Sequence, residues 1–448
     1  MSHLKIAGTR NRFLTTWKFM RDPYRSYRNW KEKFGSTFMV KALNGDVIAT
    51  CNPENIRRTF AATSDSVGQF AIETIKPLMS GGSIFIIEGE PHRRERALLS
   101  PSFHGTRIAG KAEEIRDVAL RTASQWQTGT PIRIMDDALD VSLEVIIRVV
   151  FGVQSQVRVE EFKLKIKQFV SSFHPVLAFS RLLHRPLFGL SPWGKFVKAR
   201  DSLCQMLDEE IETQLANPVD DQNMLSRLIH SKYEDGRAVD KAGIRAQLVS
   251  MLLAGHETTQ IAIAWAMSWL HRHPEIAGRL RDELNADDSI EAIMQSELLD
   301  GICNESLRLN SIVSDIVRTL RKPMEWEDLL LPAGTNIAVA ICLVHEDPEL
   351  FPDPFLFNPD RWLERTFKPF EFIPFGGGVR RCIGATLAML EMKIVVATWI
   401  KDFLFELPAD HPGVEPVYRR NITMAPKSGI PLIFRGPRIG KRPAVLVS

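Results

Sequence analysis

The most distinctive residues of the 448-residue chain stand close together in the segment FGGGVRRCIG, residues 375–384. In this segment Cys382 ends a glycine-rich loop, Arg380 and Arg381 precede it, and the pattern of a helix follows it. A cysteine thiol has a pKa of about 8.5, and a neighbouring arginine or a helix N-terminus lowers it. We therefore expect Cys382 to act as a thiolate.

A thiolate held in such a loop is best explained as the axial ligand of haem iron, because it pushes electron density toward oxygen and favours O–O cleavage. Glycines without a Cβ let the backbone approach a flat macrocycle and free backbone N–H groups to bond the sulfur. Phe375 is placed to stack near the porphyrin. A buried cysteine in a glycine turn is the alternative, and it explains an isolated cysteine better than this combination. The glycines in question are Gly376, Gly377, Gly378 and Gly384.

The segment has the form F-x-x-G-x-R-x-C-x-G and resembles the haem-binding signature of the cytochrome P-450 family. The resemblance runs over roughly residues 20–435 and implies haem b (iron protoporphyrin IX), with Cys382 as the axial ligand of its iron. It also implies a mainly α fold with a smaller β region (α+β), in which a long central helix lies over the haem and the cysteine loop beneath it. The loop residues implied to contact the haem are Phe375, Gly376, Arg380, Cys382, Ile383 and Gly384.

A second segment, AGHETT at residues 254–259, lies in a long predicted helix and resembles the oxygen-activation motif of the family. The resemblance implies that Thr258 delivers protons during oxygen activation and that Glu257 supplies them through water. Ala254 shares a helix face with Thr258, four residues further on, and Gly255 is expected to let the haem approach. Without the cysteine loop, a Thr-Thr pair in a helix would be interpreted as structural.

The pair Glu305 and Arg308 matches the E-x-x-R motif of the family. The spacing alone is uninformative, because it recurs at Glu54/Arg57 and elsewhere. Its position between the long helix and the cysteine loop is informative, and the resemblance adds Arg361 as a third member. A buried charge network must be fully paired, so we expect these residues to lock the cysteine loop in place.

Haem carries two propionates, so a buried haem pocket requires several cations. The resemblance supplies His92 and Arg96 on one helix face, Arg318 before a predicted hairpin, and Arg380 in the loop. Each arginine is alternatively a surface charge, and Arg321 lies close enough to Arg318 to compete for its role.

The elements that must position these residues are mainly helical. The pattern predicts helices over 53–62, 92–99, 106–127, 138–152 and 158–174, and a long one from the N-cap Asp240 to Arg272. A last helix is predicted over 384–402. Asn44-Gly45 predicts a hairpin over 37–51, and Pro332-Ala333-Gly334 predicts a second one within 324–343. Loop 65–90, irregular chain over 345–362 and extended chain over 404–435 complete the prediction.

The bulk composition fits one large domain over residues 1–448, with 1–20 as a flexible N-terminal segment. The net charge of +3 is too small to indicate a nucleic-acid partner. Five widely spaced cysteines without a CxxC motif favour a reducing compartment. No uncharged apolar run reaches about 18 residues, so we expect a cytoplasmic protein without a membrane span. We expect Phe13, Leu14, Trp17 and Phe19 to pack on the body, with membrane contact as the alternative.

The predicted substrate pocket is apolar, which favours a terpenoid, a steroid or a fatty acid. No cluster of cations indicates a carboxylate anchor, although His174, Arg181 or Arg185 could provide one. The proline-broken region 174–194 is either a mobile lid or a loop packed on neighbouring helices. The residues predicted to line the pocket are Phe70, Ile72, Phe85, Ile87, Met251, Ala254, Ile312, Val313 and Met424.

The resemblance implies a monomeric, soluble bacterial-type monooxygenase that inserts one atom of O2 into its substrate by hydroxylation or epoxidation. No dinucleotide fingerprint follows the haem region, so a ferredoxin or flavodoxin with an NAD(P)H-dependent reductase must supply electrons. Arginines around Cys382, with Lys393, could form a basic docking face for an acidic partner, or be solvated charge. A haem-thiolate isomerase, dehydratase or peroxygenase and a haem-binding sensor are the alternatives, and the intact Glu257-Thr258 pair disfavours a peroxygenase and a sensor.

Overall fold

The chain divides into two compact units. Residues 1–70, 115–139 and 258–448 form the first, and residues 71–114 and 140–257 form the second. The strands of the described chain all belong to the first, which we call the strand unit, and the second, the helix unit, is built of helices and loops. The prediction for region 174–190, with His174, Arg181 and Arg185, lies outside the described residues. The computed structural model describes residues 6–74, 76–79, 81–103, 105–173, 191–217, 223–327, 329–411, 413–420 and 422–438.

The strand unit contains four sheets. The largest has five strands in the order β1-β2-β8-β5-β3, and the others pair β4-β12-β9, β10-β11 and β6-β7. The strands are β1 Thr37–Ala42, β2 Gly45–Thr50, β3 Val67–Gln69, β4 Pro131–Arg133, β5 Ile316–Leu320, β6 Met324–Trp326, β7 Leu329–Leu331, β8 Asn336–Val339, β9 Phe403–Glu406, β10 Val417–Arg420, β11 Thr423–Pro426 and β12 Pro431–Pro437.

Both faces of the five-stranded sheet are covered. Successive side chains of a strand point to opposite faces, so Phe38 and Val40 lie in one buried cluster while Met39 lies in another. Strand β8 follows the same alternation, with Ile337 in the second cluster and Ala338 in the first. The sheet is therefore a rigid internal platform, and its strand β5 carries Arg318.

One predicted hairpin is confirmed and the other is wrong. Strands β1 and β2 pair antiparallel up to Ala42↔Gly45, as Asn44-Gly45 predicts. The segment Pro332-Ala333-Gly334 instead connects β7 to β8, and β8 pairs parallel with β2 and antiparallel with β5. The tight hairpin is β6–β7, and it turns near Glu327, whose φ is +46°. Strand character also ends earlier than predicted, because residues 341–345 form a short helix.

Helices make up most of the described chain. The predicted helix over 106–127 is interrupted near Gly110 and becomes two, and the one predicted over 138–152 starts earlier and ends in a π-helical turn, Ile146–Val150. The α-helices are Arg12–Arg21, Pro23–Phe34, Pro53–Ala61, Gly89–Leu99, Gly105–Ala109, Ala112–Ala123, Ile134–Val145, Gln156–Ser172, Pro192–Ala216, Met224–His230, Lys241–Arg272, Pro274–Ala286, Ile290–Gln295, Glu297–Leu309, Ile341–His345, Arg361–Glu364 and Ala385–Asp402.

The helix Lys241–Arg272, which we call the central helix, confirms the predicted long helix. Its N-cap is Asp240, whose Oδ1 accepts the backbone N–H of Gly243 at 2.7 Å. The boundary between the two units falls inside this helix, between Glu257 and Thr258. Both proposed catalytic residues therefore sit at the point where the chain passes from one unit to the other.

The N-terminal helix Arg12–Arg21 packs differently from our expectation. Phe19 does pack, with its ring centroid 5.4 Å from that of Tyr27. Phe13, Leu14 and Trp17 are instead 70%, 44% and 50% exposed, because they lie on the helix face that turns away from the body. Across the described ranges, we find no helix of the length and apolarity that a membrane crossing requires.

Candidate active site

Cys382 ends a loop that is closed by its own backbone. The N–H of Cys382 donates to the carbonyl of Phe375 at 2.9 Å, and the N–H of Gly376 donates to the carbonyl of Ile373 at 3.0 Å. A 3₁₀ turn, Gly378–Arg380, lies in the chain between Gly376 and Cys382. The helix Ala385–Asp402 begins three residues after the cysteine. The backbone of Cys382 is therefore held in place by hydrogen bonds within the loop.

The five cysteines of the chain differ in exposure. Cys382 is exposed, Cys204 is half-buried, and Cys51, Cys303 and Cys342 are buried. Burial raises the pKa of each of the other four, so they remain neutral thiols. Among the cysteines, Cys382 is thus the one placed to present a sulfur to a ligand.

Three of the loop glycines lie against other protein atoms. A Cβ on Gly377 would lie 2.3 Å from the ring of Phe60, and one on Gly378 would lie 2.4 Å from the Phe60 carbonyl oxygen. A Cβ on Gly376 would lie 2.7 Å from Ile316, and both Gly376 and Gly378 have positive φ, +66° and +68°. These glycines therefore let the loop pack against its own unit. Only at Gly384 does a Cβ meet nothing within 4 Å.

The predicted charge network is assembled on one buried carboxylate. Glu305 is fully buried, and Arg308 holds both of its oxygens, at 2.8 and 2.9 Å. Nε of Arg361 donates to it at 3.0 Å, as do the Asn358 N–H and the Trp362 indole N–H. Nη1 of Arg361 donates to the Pro352 carbonyl, and Nη1 of Arg308 donates to the Pro354 carbonyl. Such complete pairing is what a buried ion cluster needs in order to stabilise a fold.

His345 connects this network to the cysteine loop, a connection that our sequence reasoning missed. Its carbonyl accepts from Arg308 at 2.7 Å, and its Nε2 accepts the N–H of Ile373 at 3.0 Å. The carbonyl of Ile373 in turn holds Gly376. Burial, aided by the charge of Arg308, lowers the pKa of His345 to about 3, so the ring is neutral and its Nδ1–H donates to Ser311. No sequence signal other than position near the network marks this histidine.

Arg318 is a cation without an anionic partner in the described chain. It lies in the middle of β5, and burial lowers its pKa to about 10. Its guanidinium donates to the neighbouring Val317 carbonyl at 2.9 Å, and no described carboxylate forms an ion pair with it. Arg321 is exposed. A half-buried cation in this state is suited to an anionic ligand, so the residues present fit a haem propionate.

The other predicted propionate ligands are divided between the units. His92, 2% exposed, and Arg96, half-buried, lie on the helix Gly89–Leu99 of the helix unit, four residues apart and therefore on one face. Arg380 is half-buried in the 3₁₀ turn of the strand unit. Their assignment to the propionates stays a prediction.

The central helix has a partly exposed window in an otherwise buried stretch. Residues 246–252 and 259–268 are buried, whereas Ala254, Gly255, Glu257 and Thr258 are half-buried. His256, within the window, is buried, and its Nδ1 lies 2.7 Å from the Leu252 carbonyl. A Cβ on Gly255 would lie 3.0 Å from Ile146, so this glycine makes room for the π-helical turn. The window contains the predicted oxygen-activation motif except its last residue, Thr259, which is buried.

The predicted pocket residues also fall into two sets. In the strand unit, the N–H of Met424 donates to the Ile312 carbonyl at 2.8 Å, and Phe70 packs against the cluster that contains Met424. Val313, which follows Ile312 in the chain, is half-buried. The helix unit contains Met251, which is buried, together with the half-buried Ile72, Phe85 and Ile87.

Lys393 does not belong to a docking face. Its side chain is 7% exposed, and its ammonium pairs with Asp300 at 2.8 Å and donates to the Met294 carbonyl at 2.6 Å. Its ammonium is therefore used in contacts within the protein and is not available on the surface. Arg381, by contrast, is exposed next to Cys382.

Comparison with known proteins agrees with these features. A sequence model of the family Cytochrome P450 matches residues 10–433. The chain is 29% identical over 410 residues to cytochrome P450 138 of Mycobacterium tuberculosis (strain ATCC 25618 / H37Rv), covering 90% of each protein. It is 30% identical over 417 residues to cytochrome P450 135B1 of the same strain, covering 91% of this chain and 86% of that one. Neither name states a substrate.

Two solved structures share the fold. The retinoic acid bound cyanobacterial CYP120A1 superposes with a TM-score of 0.81 at 22% identity, over 94% of this chain and 96% of that one. The cytochrome P450DA heme domain gives a TM-score of 0.84 at 20% identity, over 97% and 98%. Since the family match spans nearly the whole length of the sequence, the chain belongs to the cytochrome P450 family.

Proposed function

We propose that the chain hydroxylates or epoxidises a hydrophobic small molecule, a terpenoid, a steroid or a fatty acid, with residues 1–448 working as one domain. Membership of the family makes it a haem-thiolate monooxygenase that binds haem b through a cysteine. The observation that carries the proposal is Cys382, the one exposed cysteine of five, in a loop fixed by backbone bonds.

The apolar side chains proposed for the pocket support the substrate class. Phe70, Phe85, Ile87 and Val313 are half-buried, which leaves them area to contact a ligand. Burying apolar ligand area contributes roughly 25 cal/mol per Å², so such a lining selects apolar molecules. The cyanobacterial CYP120A1 binds retinoic acid, a mostly apolar molecule, and has the same fold.

The residues of the chain divide the remaining work. Cys382 would hold the haem iron, and Arg318, His92, Arg96 and Arg380 would hold the propionates. When bound, the haem supplies the oxygen-activating chemistry. The Thr258 hydroxyl would donate a proton at the oxygen, and the Glu257 carboxyl would replace that proton through water.

A separate redox protein, a ferredoxin or flavodoxin with its reductase, would supply electrons in the cytoplasm. The helix Pro53–Ala61 contacts the cysteine loop through Phe60, and it carries Arg57 and Arg58. Both arginines pair with Glu54, at 2.7 and 2.8 Å, and Arg58 also lies 3.9 Å from Glu325, so these pairs leave no excess positive charge. The exposed Arg381 would therefore supply the positive charge that faces an acidic partner.

Turnover under ¹⁸O₂, with NADPH, ferredoxin and ferredoxin reductase, tests the proposal. A panel of terpenoids, steroids and fatty acids is first screened by the shift of the Soret band. We expect a product with one ¹⁸O atom and one NADPH consumed per product. An unlabelled product isomer would identify an isomerase, product formed only with hydrogen peroxide would identify a peroxygenase, and haem without any product would indicate a sensor.

A further inference from the structure

Gln247 is a fully buried amide on the central helix, and it holds the loop in front of the helix Gly89–Leu99. Its Nε2 donates to the Gly82 carbonyl at 2.9 Å, and its Oε1 accepts the N–H of Ile84 at 3.2 Å. One side chain therefore binds a backbone acceptor and a backbone donor two residues apart, as a neighbouring β-strand would. The loop needs such a partner because no strand pairs with this segment in the described chain.

The same amide reaches the helix that carries His92 and Arg96. Its Nε2 also donates to Oε2 of Glu95 at 3.1 Å, and Oε1 of Glu95 accepts from the hydroxyl of Tyr233 at 2.7 Å. Burial and this hydrogen bond raise the pKa of Tyr233 to about 12, so the phenol remains a donor. The loop, the central helix and the helix of His92 are thus joined through one glutamine.

A second bond ties the loop to the central helix one turn further on. The hydroxyls of Ser83 and Ser250 lie 2.6 Å apart, and both residues are buried. The carbonyl of Ser83 accepts the N–H groups of Ile86 and Ile87, at 2.9 and 3.1 Å. Any shift of residues 82–84 is therefore passed directly to Phe85 and Ile87.

We propose that Gln247 is a positioning residue that determines substrate selectivity, because it sets where the loop 82–87 presents Phe85 and Ile87. The proposal rests on the function proposed above in one respect, that these two side chains contact the substrate. Gln247 itself touches neither substrate nor haem in this account. The amide of Gln247 suits this role because it offers a donor and an acceptor side by side at the end of one side chain.

Hydrogen exchange of the holoenzyme tests the positioning directly, without any substrate. In Gln247→Leu the backbone amides of residues 82–87 should exchange at least ~10-fold faster than in the parent protein, because the loop has lost its buried partners. Ser250→Ala removes only the serine pair and should give a smaller increase. The matched control is Gln260→Leu, which removes a buried glutamine of the same helix that donates to the Met135 carbonyl at 2.8 Å.

Selectivity is then read from two probes that bind haem iron, imidazole and 4-phenylimidazole, titrated by the Soret shift. We expect the ratio of their dissociation constants to change about 10-fold in Gln247→Leu, since the proposal has Phe85 and Ile87 contact the phenyl group, which imidazole lacks. Imidazole affinity alone should stay within about twofold. The ratio should be unchanged in Gln260→Leu.

Two outcomes would overturn the proposal: an unchanged exchange rate and ratio in folded Gln247→Leu, or the same change in Gln260→Leu. Gln247→Met, which keeps the volume of the side chain, replaces Gln247→Leu if that variant does not fold, and Ser250→Ala gives an independent and milder reading. Failure of the proposed function looks different. In that case the parent protein would form no ¹⁸O-labelled product under ¹⁸O₂, while azole titration and hydrogen exchange would still report on the loop.

Discussion

Around Glu305, four groups donate to one buried carboxylate, whereas the neutral amide of Gln247 holds a loop by two hydrogen bonds and donates a third to Glu95. Removing one member of a buried ion cluster leaves uncompensated charge and costs about 3–5 kcal/mol. Removing a neutral hydrogen bond costs roughly 0.5–1.5 kcal/mol, and removing one to a charged group costs about 1.5–3 kcal/mol. We therefore expect the anchor of the cysteine loop to be the more rigid side of this comparison, and the anchor of the loop 82–87 to be the more adjustable side.

The largest expected effect tests the rigid side. Glu305→Gln keeps the shape of the side chain but leaves Arg308 and Arg361 without a counter-charge in the interior. We expect the free energy of unfolding to fall by about 3–5 kcal/mol, with a lower haem content. Urea denaturation followed by far-UV circular dichroism measures the first, and haem absorbance per protein the second.

The control for this variant is Glu54→Gln, which removes the exposed carboxylate shared by Arg57 and Arg58. Pairs of this kind are screened by water and contribute little, so its unfolding midpoint should match the parent protein. Equal midpoints for Glu305→Gln and Glu54→Gln would contradict the contrast between a rigid and an adjustable side.

The second prediction concerns the window of the central helix. Thr258→Ala should lower product formed per NADPH consumed by about 100-fold, because the proton donor is lost, and it should leave the free energy of unfolding nearly unchanged. Thr259→Ala, at the buried neighbour, is the control. It should lower the free energy of unfolding and leave the product formed per NADPH consumed nearly unchanged. Assays of product and NADPH, together with thermal unfolding, separate the two variants. If both variants uncouple NADPH use equally, Thr258 has no special role.

The third prediction uses the pH dependence of stability. Burial holds the pKa of His345 at about 3, against 6.5 for a free histidine. Between these two pH values the unfolded chain binds a proton at this residue and the folded chain does not. This contribution to stability is complete above pH 6.5 and is lost as the pH falls toward 3. At pH 5 the loss is about 2 kcal/mol.

His345→Gln keeps a donor and an acceptor but cannot titrate. Urea denaturation between pH 7.5 and 5 should show a shallower loss of stability in the variant than in the parent protein. Part of the slope will remain, since burial also lowers the pKa of His271 to about 4. Identical slopes would mean that His345 is protonated in the fold.

The smallest effect is expected at Arg318. Arg318→Leu removes a half-buried cation that has no described counter-ion, so the haem-free protein should unfold at a higher temperature. The holoprotein should lose haem about 10-fold faster to apomyoglobin, because a propionate has lost its partner. Arg321→Leu, at an exposed arginine, should change neither. Faster haem loss in Arg321→Leu alone would reassign the propionate ligand.

Local patterns in the sequence predicted much of this molecule. The N-cap Asp240, the hairpin at Asn44-Gly45 and the last helix after Gly384 all depend on residues close in the chain. The charge network could also be anticipated, because a known motif supplied Glu305, Arg308 and Arg361 and the structure brings them together. These features are short-range or carried by a resemblance.

What the sequence could not predict depends on distant partners. The turn Pro332-Ala333-Gly334 looks like a hairpin until β8 is seen to pair with β2, nearly 300 residues earlier. Nothing in the sequence indicates that the loop glycines also pack against Phe60 and Ile316. Lys393 looks like surface charge until Asp300 is found next to it. In each case the deciding neighbour is remote in sequence.

The central claim is that Cys382, as a thiolate, is the ligand of the haem iron. The most direct measurement is the absorption spectrum of the reduced protein with carbon monoxide, compared for the parent protein, Cys382→Ser and Cys204→Ser. We predict a strongly red-shifted Soret band in the parent protein and in Cys204→Ser, and its loss in Cys382→Ser. A red-shifted band that survives in Cys382→Ser, or a parent band at the position typical of histidine-ligated haem, would contradict the claim.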